Sequence, residues 1–239
     1  MKKVDLRKFI IYQDEHFLAI NKPSGISVLA DRNGDMCVLD WVRTQFEDAS
    51  ACHRIDKDTS GVLLFALDKE SYRHASLQFQ NRQIKKVYHA LVYGKASFHE
   101  YRENRNIAVH DQYSSVHKEG KDAETWFDTL GIYFEYSLVE CKPITGRMHQ
   151  IRVHLQALGF PIVADALYGG SPLFLSEIKK KYKLSKYEDE QPLMGRLALH
   201  AFKLEFQNRS GDRVCVEAPY SKDFKAAINQ LAKIRKVKK

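Results

Sequence analysis

The run Val62-Leu63-Leu64-Phe65-Ala66-Leu67 is the longest uninterrupted apolar stretch of the chain, and it directly follows the highly polar segment His53 to Gly61. Six apolar residues fall far short of the about 20 that a membrane-crossing helix needs. Without polar alternation, the run predicts a strand buried on both faces. A fold that accepts such a strand must cover both of its sides, and 239 residues with 44% hydrophobic side chains suffice for one substantial core or at most two small ones.

The other segments say what covers it. Phe9 to Tyr12 and Phe17 to Ile20, joined by the polar turn Gln13 to His16, predict a hairpin that ends at the breaker Lys22-Pro23-Ser24-Gly25. Val38 to Phe46 has a helical period. Asp68 is placed to cap a helix with Tyr72, Ala75, Ser76 and Phe79 on its inner face, and the basic patch Arg82, Lys85, Lys86 then leads into a strand over Val87 to Tyr93. Phe134, Tyr136 and Leu138 alternate with polar neighbours, as do Phe202, Leu204 and Phe206, which predicts two half-buried strands. The second pairs with Val214 to Ala218 across Asn208 to Asp212, and a helix starting near Ser221 turns Phe224, Ile228 and Leu231 inward. The sum is an α+β fold, mostly antiparallel, with a mixed central β-sheet and flanking helices. No repeat, low-complexity tract or Pro/Gly/Ser-rich linker divides the 239 residues, so 1–239 reads as one domain with its core at about 10–219.

The formal net charge is +8, of which the first eight residues carry +3 and the last nine +5, so the body between them is neutral. Basic ends attract any polyanion, but specific recognition must come from the body. Cys37, Cys52, Cys141 and Cys215 show neither a zinc-site spacing nor a C-x-x-C pair, and read as small core residues of a reducing compartment. Phe9 to Tyr12 is too short for the core of a secretory signal. A cytoplasmic protein without a membrane segment is expected.

Two segments exceed what folding needs. In His53-Arg54-Ile55-Asp56-Lys57-Asp58-Thr59-Ser60-Gly61, Arg54 and Asp56 are two apart, so an extended backbone turns both to one side, where the guanidinium favours the ionised carboxylate. Such an aspartate is a nucleophile or base in waiting. The ordinary alternative is a solvated turn in which Asp58, Thr59 and Ser60 bond the local backbone. The second segment, Lys142 to Leu155, follows a strand and opens a helix with Thr145 and Gly146 at its N-cap and Met148, Ile151, Leu155 and Leu158 as its buried stripe. Its start suits an anion such as phosphate. Arg147 and Arg152 flank the stripe; Arg152 either snorkels or meets an acid inside the protein. Tyr88, beyond Lys85 and Lys86, is either a core aromatic or a platform for an unstacked base. His149 and His154 are five apart, which spreads them about 140° around a helix and does not suit a metal, whose paired ligands sit at i and i+4. The Asp111 to Asp122 stretch and the Lys179 to Lys183 run are further basic or polar surfaces.

His53 to Gly61 with the following Val62 to Leu67 resembles the signature of the RluA family of pseudouridine synthases. Asn21 to Gly25, Lys86-Val87-Tyr88, Pro143 to His154 and Leu197 to Ala201 match further blocks of that family in the same order, over roughly Ile10 to Pro219. Ile55 stands where a leucine is common, a neutral exchange. The resemblance implies the pseudouridine synthase fold and isomerisation of specific uridines in structured RNA, ribosomal or transfer. In that reaction the glycosidic bond is broken, the bound uracil rotates and its carbon 5 is rejoined to the ribose, with no cofactor and no metal. It implies that Asp56 is the catalytic residue and that Arg54 takes the place of the flipped base. It further implies that Tyr88 stacks on the uracil and that Arg152 pairs with the Asp56 carboxylate; Arg147 is assigned to phosphate. A monomer is expected. So is the absence of the extra N-terminal RNA-binding domain common in the family, since about eight residues precede the first strand.

Overall fold

The computed structural model describes residues 5–30, 35–179, 182 and 189–236. The first part of the chain forms β1 (Ile10–Gln13), β2 (Phe17–Lys22), α1 (Val38–Arg43), β3 (Ser50–Ala51), β4 (Ser60–Ala66), α2 (Lys69–Gln80) and β5 (Lys85–Tyr93). The middle adds β6 (Tyr101–Glu103), β7 (Ile107–Val109), β8 (Ser114–Val116), β9 (Thr125–Tyr133), β10 (Tyr136–Pro143), α3 (Gln150–Ala157) and the short α4 (Leu175–Ile178). The chain closes with β11 (Leu199–Gln207), β12 (Arg213–Glu217) and α5 (Lys222–Lys236).

These elements form two compact units, residues 1–87 with 200–219 and residues 88–199 with 220–239. The backbone therefore passes between units three times, within β5, at the start of β11 and after Pro219.

In the first unit, every residue of β4 is buried. Antiparallel β2 covers one edge from Phe17↔Ala66 to Lys22↔Gly61. The other edge is shared: β3 pairs with Phe65 and Ala66, and β11 pairs in parallel with Ser60 and Gly61. Val62, Leu64 and Ala66 enter a cluster with Phe17, Ala75, Leu204 and Phe206. Leu63 and Phe65, on the opposite face, are also fully buried. Each such side chain contributes roughly 1.5–3 kcal/mol, so the apolar run is the spine of this unit.

Asp68 caps α2 as expected, its carboxylate accepting from the Ser71 backbone N–H at 2.8 Å. The inner face differs. Ser71, Ala75 and Gln78 are buried, whereas Tyr72 is exposed. The reason is Gln78, whose amide donates to Gln207 O at 2.9 Å and accepts from Gln207 N at 2.8 Å, extending the edge of β11 with a side chain. The hairpin of β11 and β12 has the expected turn, and its register runs from Lys203↔Glu217 to Gln207↔Arg213. Cys37 and Cys141 are buried, but Cys215 is exposed because β12 buries little besides Val216, which corrects its reading as a core residue.

In the second unit, β5, β10, β9 and β6 pair in succession, all antiparallel. Phe134 lies outside the strands, at the turn between β9 and β10 with φ +55°, so the alternation that begins at Phe134 overextends the strand by two residues. In β10 both Ser137 and Leu138 are buried, so the strand is covered on two faces rather than one. Ile151 and Leu155 of α3 and Phe224, Ala227 and Leu231 of α5 complete this core. Among the described residues, no helix is long and apolar enough to cross a membrane.

Candidate active site

The Asp56 loop is not a free turn. A local bond, Thr59 N to Asp56 O at 3.1 Å, helps to shape it. Remote segments do the rest. Lys22 is fully buried and its ammonium donates to the carbonyls of Pro23 and Ile26, both at 2.9 Å, and of Lys57 at 2.8 Å. Gly25 N donates to Lys57 O at 2.9 Å and the Ser24 hydroxyl to Asp58 O at 2.6 Å. On the other side, the Ser60 hydroxyl lies 2.8 Å from His200 Nδ1, and His200 Nε2 is 3.1 Å from Ala218 O. A carbonyl only accepts, so neutral His200 carries its proton on Nε2 and accepts the hydrogen bond of the Ser60 hydroxyl at Nδ1. Gly61, at φ +113°, lets β4 meet β11: a Cβ there would overlap the Ala201 carbonyl. The sequence blocks Asn21 to Gly25 and Leu197 to Ala201 thus grip the third block, and the solvated-turn reading fails because Thr59 and Ser60 are buried.

Within the loop, Asp56 is half-buried and Arg54 exposed. His53 Nε2 accepts the Leu64 backbone N–H at 3.2 Å, which requires an unprotonated nitrogen. Burial, with the nearby Lys86 cation, lowers its pKa to about 3. Tyr88 is half-buried at the margin of the second unit's core. Its neighbour His89 is buried, with Nδ1 2.5 Å from the Tyr220 hydroxyl, and strand alternation turns Tyr88 to the other face of the sheet.

The second candidate segment departs from expectation at its start. Thr145 and Gly146 do not cap α3; the helix begins at Gln150, after His149 in the left-handed region at φ +55°. Gln150 reaches back instead. Its Oε1 accepts the Thr145 hydroxyl at 2.7 Å and Arg147 N at 3.0 Å, and its Nε2 donates to Glu124 O and Thr125 Oγ1, both at 2.9 Å. His154, fully buried, continues the network through Thr125 Oγ1 at 3.0 Å and Arg105 O at 3.0 Å, and burial lowers its pKa. Both nitrogens of His154 are therefore engaged by the protein itself. Arg147 is half-buried and its Nε donates to Asp122 O at 2.9 Å.

Arg152 meets an acid inside the protein rather than snorkelling. Its Nε and Nη2 each donate to an Asp165 carboxylate oxygen at 2.8 Å, a two-pronged pair with Asp165 almost fully buried. The guanidinium also lies 4.9 Å over the Tyr168 ring, whose hydroxyl is 2.9 Å from His149 Nδ1 and accepts Ser114 N at 2.8 Å. Reading the sequence missed Asp165 and Tyr168. The available signal was an acid ending the apolar run Pro161 to Ala164, the same pattern of charge beside a buried stripe that singled out Arg152. It also gave Lys22 and His200 no role of their own. Of the surface stretches, Asp111 to Asp122 contains β8, and Tyr113 stacks on His110 with ring centroids 4.3 Å apart. Lys180, Lys181 and Lys183 lie outside the described residues.

Comparison with known proteins agrees with these motifs. Residues 16–157 match the family model described as RNA pseudouridylate synthase. The ribosomal large subunit pseudouridine synthase C of Vibrio parahaemolyticus is 35% identical over 238 residues, covering 97% of this chain and 72% of that protein. Its namesake in Escherichia coli is 34% identical over 243 residues, covering 98% and 73%. Among solved structures, human RNA pseudouridylate synthase domain containing 4 superposes with a TM-score of 0.76 at 26% identity, covering 95% of this chain and 94% of that one. Human RNA pseudouridylate synthase domain containing 1 does so with a TM-score of 0.69 at 28% identity, covering 92% and 86%. The α+β fold, the ordered motifs and these relatives together place the chain in the RNA pseudouridylate synthase family, whose members are isomerases.

Proposed function

We propose that this protein converts uridine to pseudouridine in large-subunit ribosomal RNA, with Asp56 as the catalytic carboxylate. The observation that carries the reading is the anchoring of the Asp56 loop: a buried lysine, a serine and a buried histidine from remote segments fix the stretch Lys57 to Ser60 that directly follows a half-buried aspartate. Loops held this firmly on a rigid strand serve chemistry that tolerates little displacement. The large-subunit target follows the names of the relatives.

In the proposed scheme the target uridine leaves its stack, at a cost of a few kcal/mol, and Arg54, exposed on the loop, fills the gap. Tyr88 stacks on the uracil, Arg147 contacts a phosphate, and Arg152 takes part in substrate binding. Asp56 serves the step in which the bond from N1 to the ribose C1′ breaks. After the uracil rotates, C5 bonds to C1′ and the proton of C5 leaves as N1 gains one, so substrate and product are isomers. The enzyme acts as a monomer in the cytoplasm.

Pseudouridine mapping across the RNA of cells with and without the protein tests the reading, together with cells carrying Asp56→Asn. Large-subunit sites should vanish in the deletion and in Asp56→Asn, while the purified variant still binds RNA. Retained modification in Asp56→Asn rejects the catalytic assignment. Loss of transfer-RNA sites alone rejects the ribosomal target.

A further inference from the structure

We propose that His200 is a positioning residue for the reaction, acting through Ser60 on the turn that carries Asp56; the inference rests on the assignment of Asp56 above. Ser60 and His200 face each other across the parallel pair of β4 and β11, and both are buried. They are 140 residues apart in sequence, so the bond between them is tertiary rather than a local turn contact. The Ala218 carbonyl fixes the proton of His200 on Nε2, which leaves Nδ1 as an acceptor with a single orientation. The Ser60 hydroxyl donates to it.

Ser60 is the first residue of the rigid strand, and Thr59, its neighbour, closes the turn by donating its N–H to Asp56 O. Rotation of Ser60 about the backbone is transmitted to Asp56 within one turn. His200 thereby sets where the rigid strand stops and the reactive loop begins. An error of about 1 Å in the placement of a reacting group can cost on the order of a hundredfold in rate.

The bonds of His200 to Ser60 and to Ala218 can be broken separately, because an asparagine amide reproduces the Nδ1 position and a glutamine amide the Nε2 position. Ser60→Ala, His200→Asn, His200→Gln, Ser60→Ala/His200→Gln and Asp56→Asn are compared on large-subunit ribosomal RNA purified from cells lacking the protein. Turnover and KM are measured well below the lowest melting temperature of the set. Ser60→Ala and His200→Gln should each lower kcat by about ten- to a hundredfold with KM unchanged. His200→Asn should keep kcat within about threefold of wild type although it loses the Ala218 bond, and the double variant should be no worse than either single. An unchanged kcat in Ser60→Ala, equal losses in the Asn and Gln variants, or additive losses in the double variant would overturn the inference. Ser60→Ala, the mildest change, keeps the test open if a His200 variant fails to fold. Turnover retained by Asp56→Asn sinks the assignment of Asp56 instead, whereas an inactive Asp56→Asn beside a fully active Ser60→Ala sinks only the role of His200.

Discussion

The loop His53 to Ser60 and the segment Thr145 to Arg152 carry most of the residues proposed for function, yet they are built in opposite ways. The loop is held mainly from outside itself, by Lys22, Ser24 and His200 acting on its backbone and its last hydroxyl. The other segment is held largely by its own side chains and their close partners, through the fourfold bonding of Gln150 and the paired Arg152 and Asp165. Backbone anchoring fixes the loop through the carbonyls of Lys57 and Asp58. Side-chain anchoring commits residues that look available, such as His154 and Gln150, to structure. Charge and polarity in a motif are therefore poor guides to which groups react; what matters is whether backbone or side chain bears the restraint.

The sharpest way to break the contrast is Gly61→Ala. The positive φ and the overlap with the Ala201 carbonyl should together cost about 3–5 kcal/mol, read as loss of cooperative unfolding or a large fall in Tm. An alanine tolerated there without loss would mean that the join of β4 and β11 does not depend on close approach. Next, Asp165→Asn removes the carboxylate paired with Arg152 and should cost about 3 kcal/mol in chemical denaturation, since a largely buried cation loses a two-pronged partner. A change below 1 kcal/mol would show that the second segment does not rest on this pair.

Acid should act on the loop as well. The folded-state pKa of His53 is depressed, so the unfolded chain takes up the proton first, and stability should decline as the pH falls from about 6.5 toward about 3. His53→Gln preserves an acceptor near the Nε2 position without titrating, so its Tm should be flatter over that window than that of the wild type. Parallel curves would remove His53 as a contributor. Smallest of all, Arg147→Ala should change stability by no more than about 1 kcal/mol, because the side chain gives up one bond to Asp122 O near the surface. It should raise KM for RNA several-fold, more at low salt than at high. An unchanged KM at low salt would leave Arg147 without a phosphate contact.

Much of this architecture is legible from residue types alone where a local rule decides. The unbroken apolar run is β4, Asp68 is the cap of α2, and Phe224 and Leu231 face inward on α5. Legibility fails where a distant partner overrides the local rule. Thr145 and Gly146 have the chemistry of a cap, but Gln150 satisfies that end from inside the helix. Tyr72 fits the apolar stripe of α2 until the pairing of Gln78 with Gln207 rotates the face. The anchors Lys22 and His200 lie in recognisable blocks, but their purpose shows only when the carbonyls of Lys57 and Ala218 are in place. No linker search could find the two units, because the backbone passes between them three times rather than once.

That threading has a cost on the ribosome. When β4 emerges, the strand that shares its second edge has yet to be made, because the residue that bonds Ser60 comes 140 positions later. At about 5–20 residues per second, the most apolar strand of the molecule waits on the order of ten seconds with the Ser60 and Gly61 end of that edge unsatisfied. Nascent chains of this protein should therefore engage a holding chaperone between the synthesis of β4 and β11, and the demand should end when the second of these strands clears the exit tunnel.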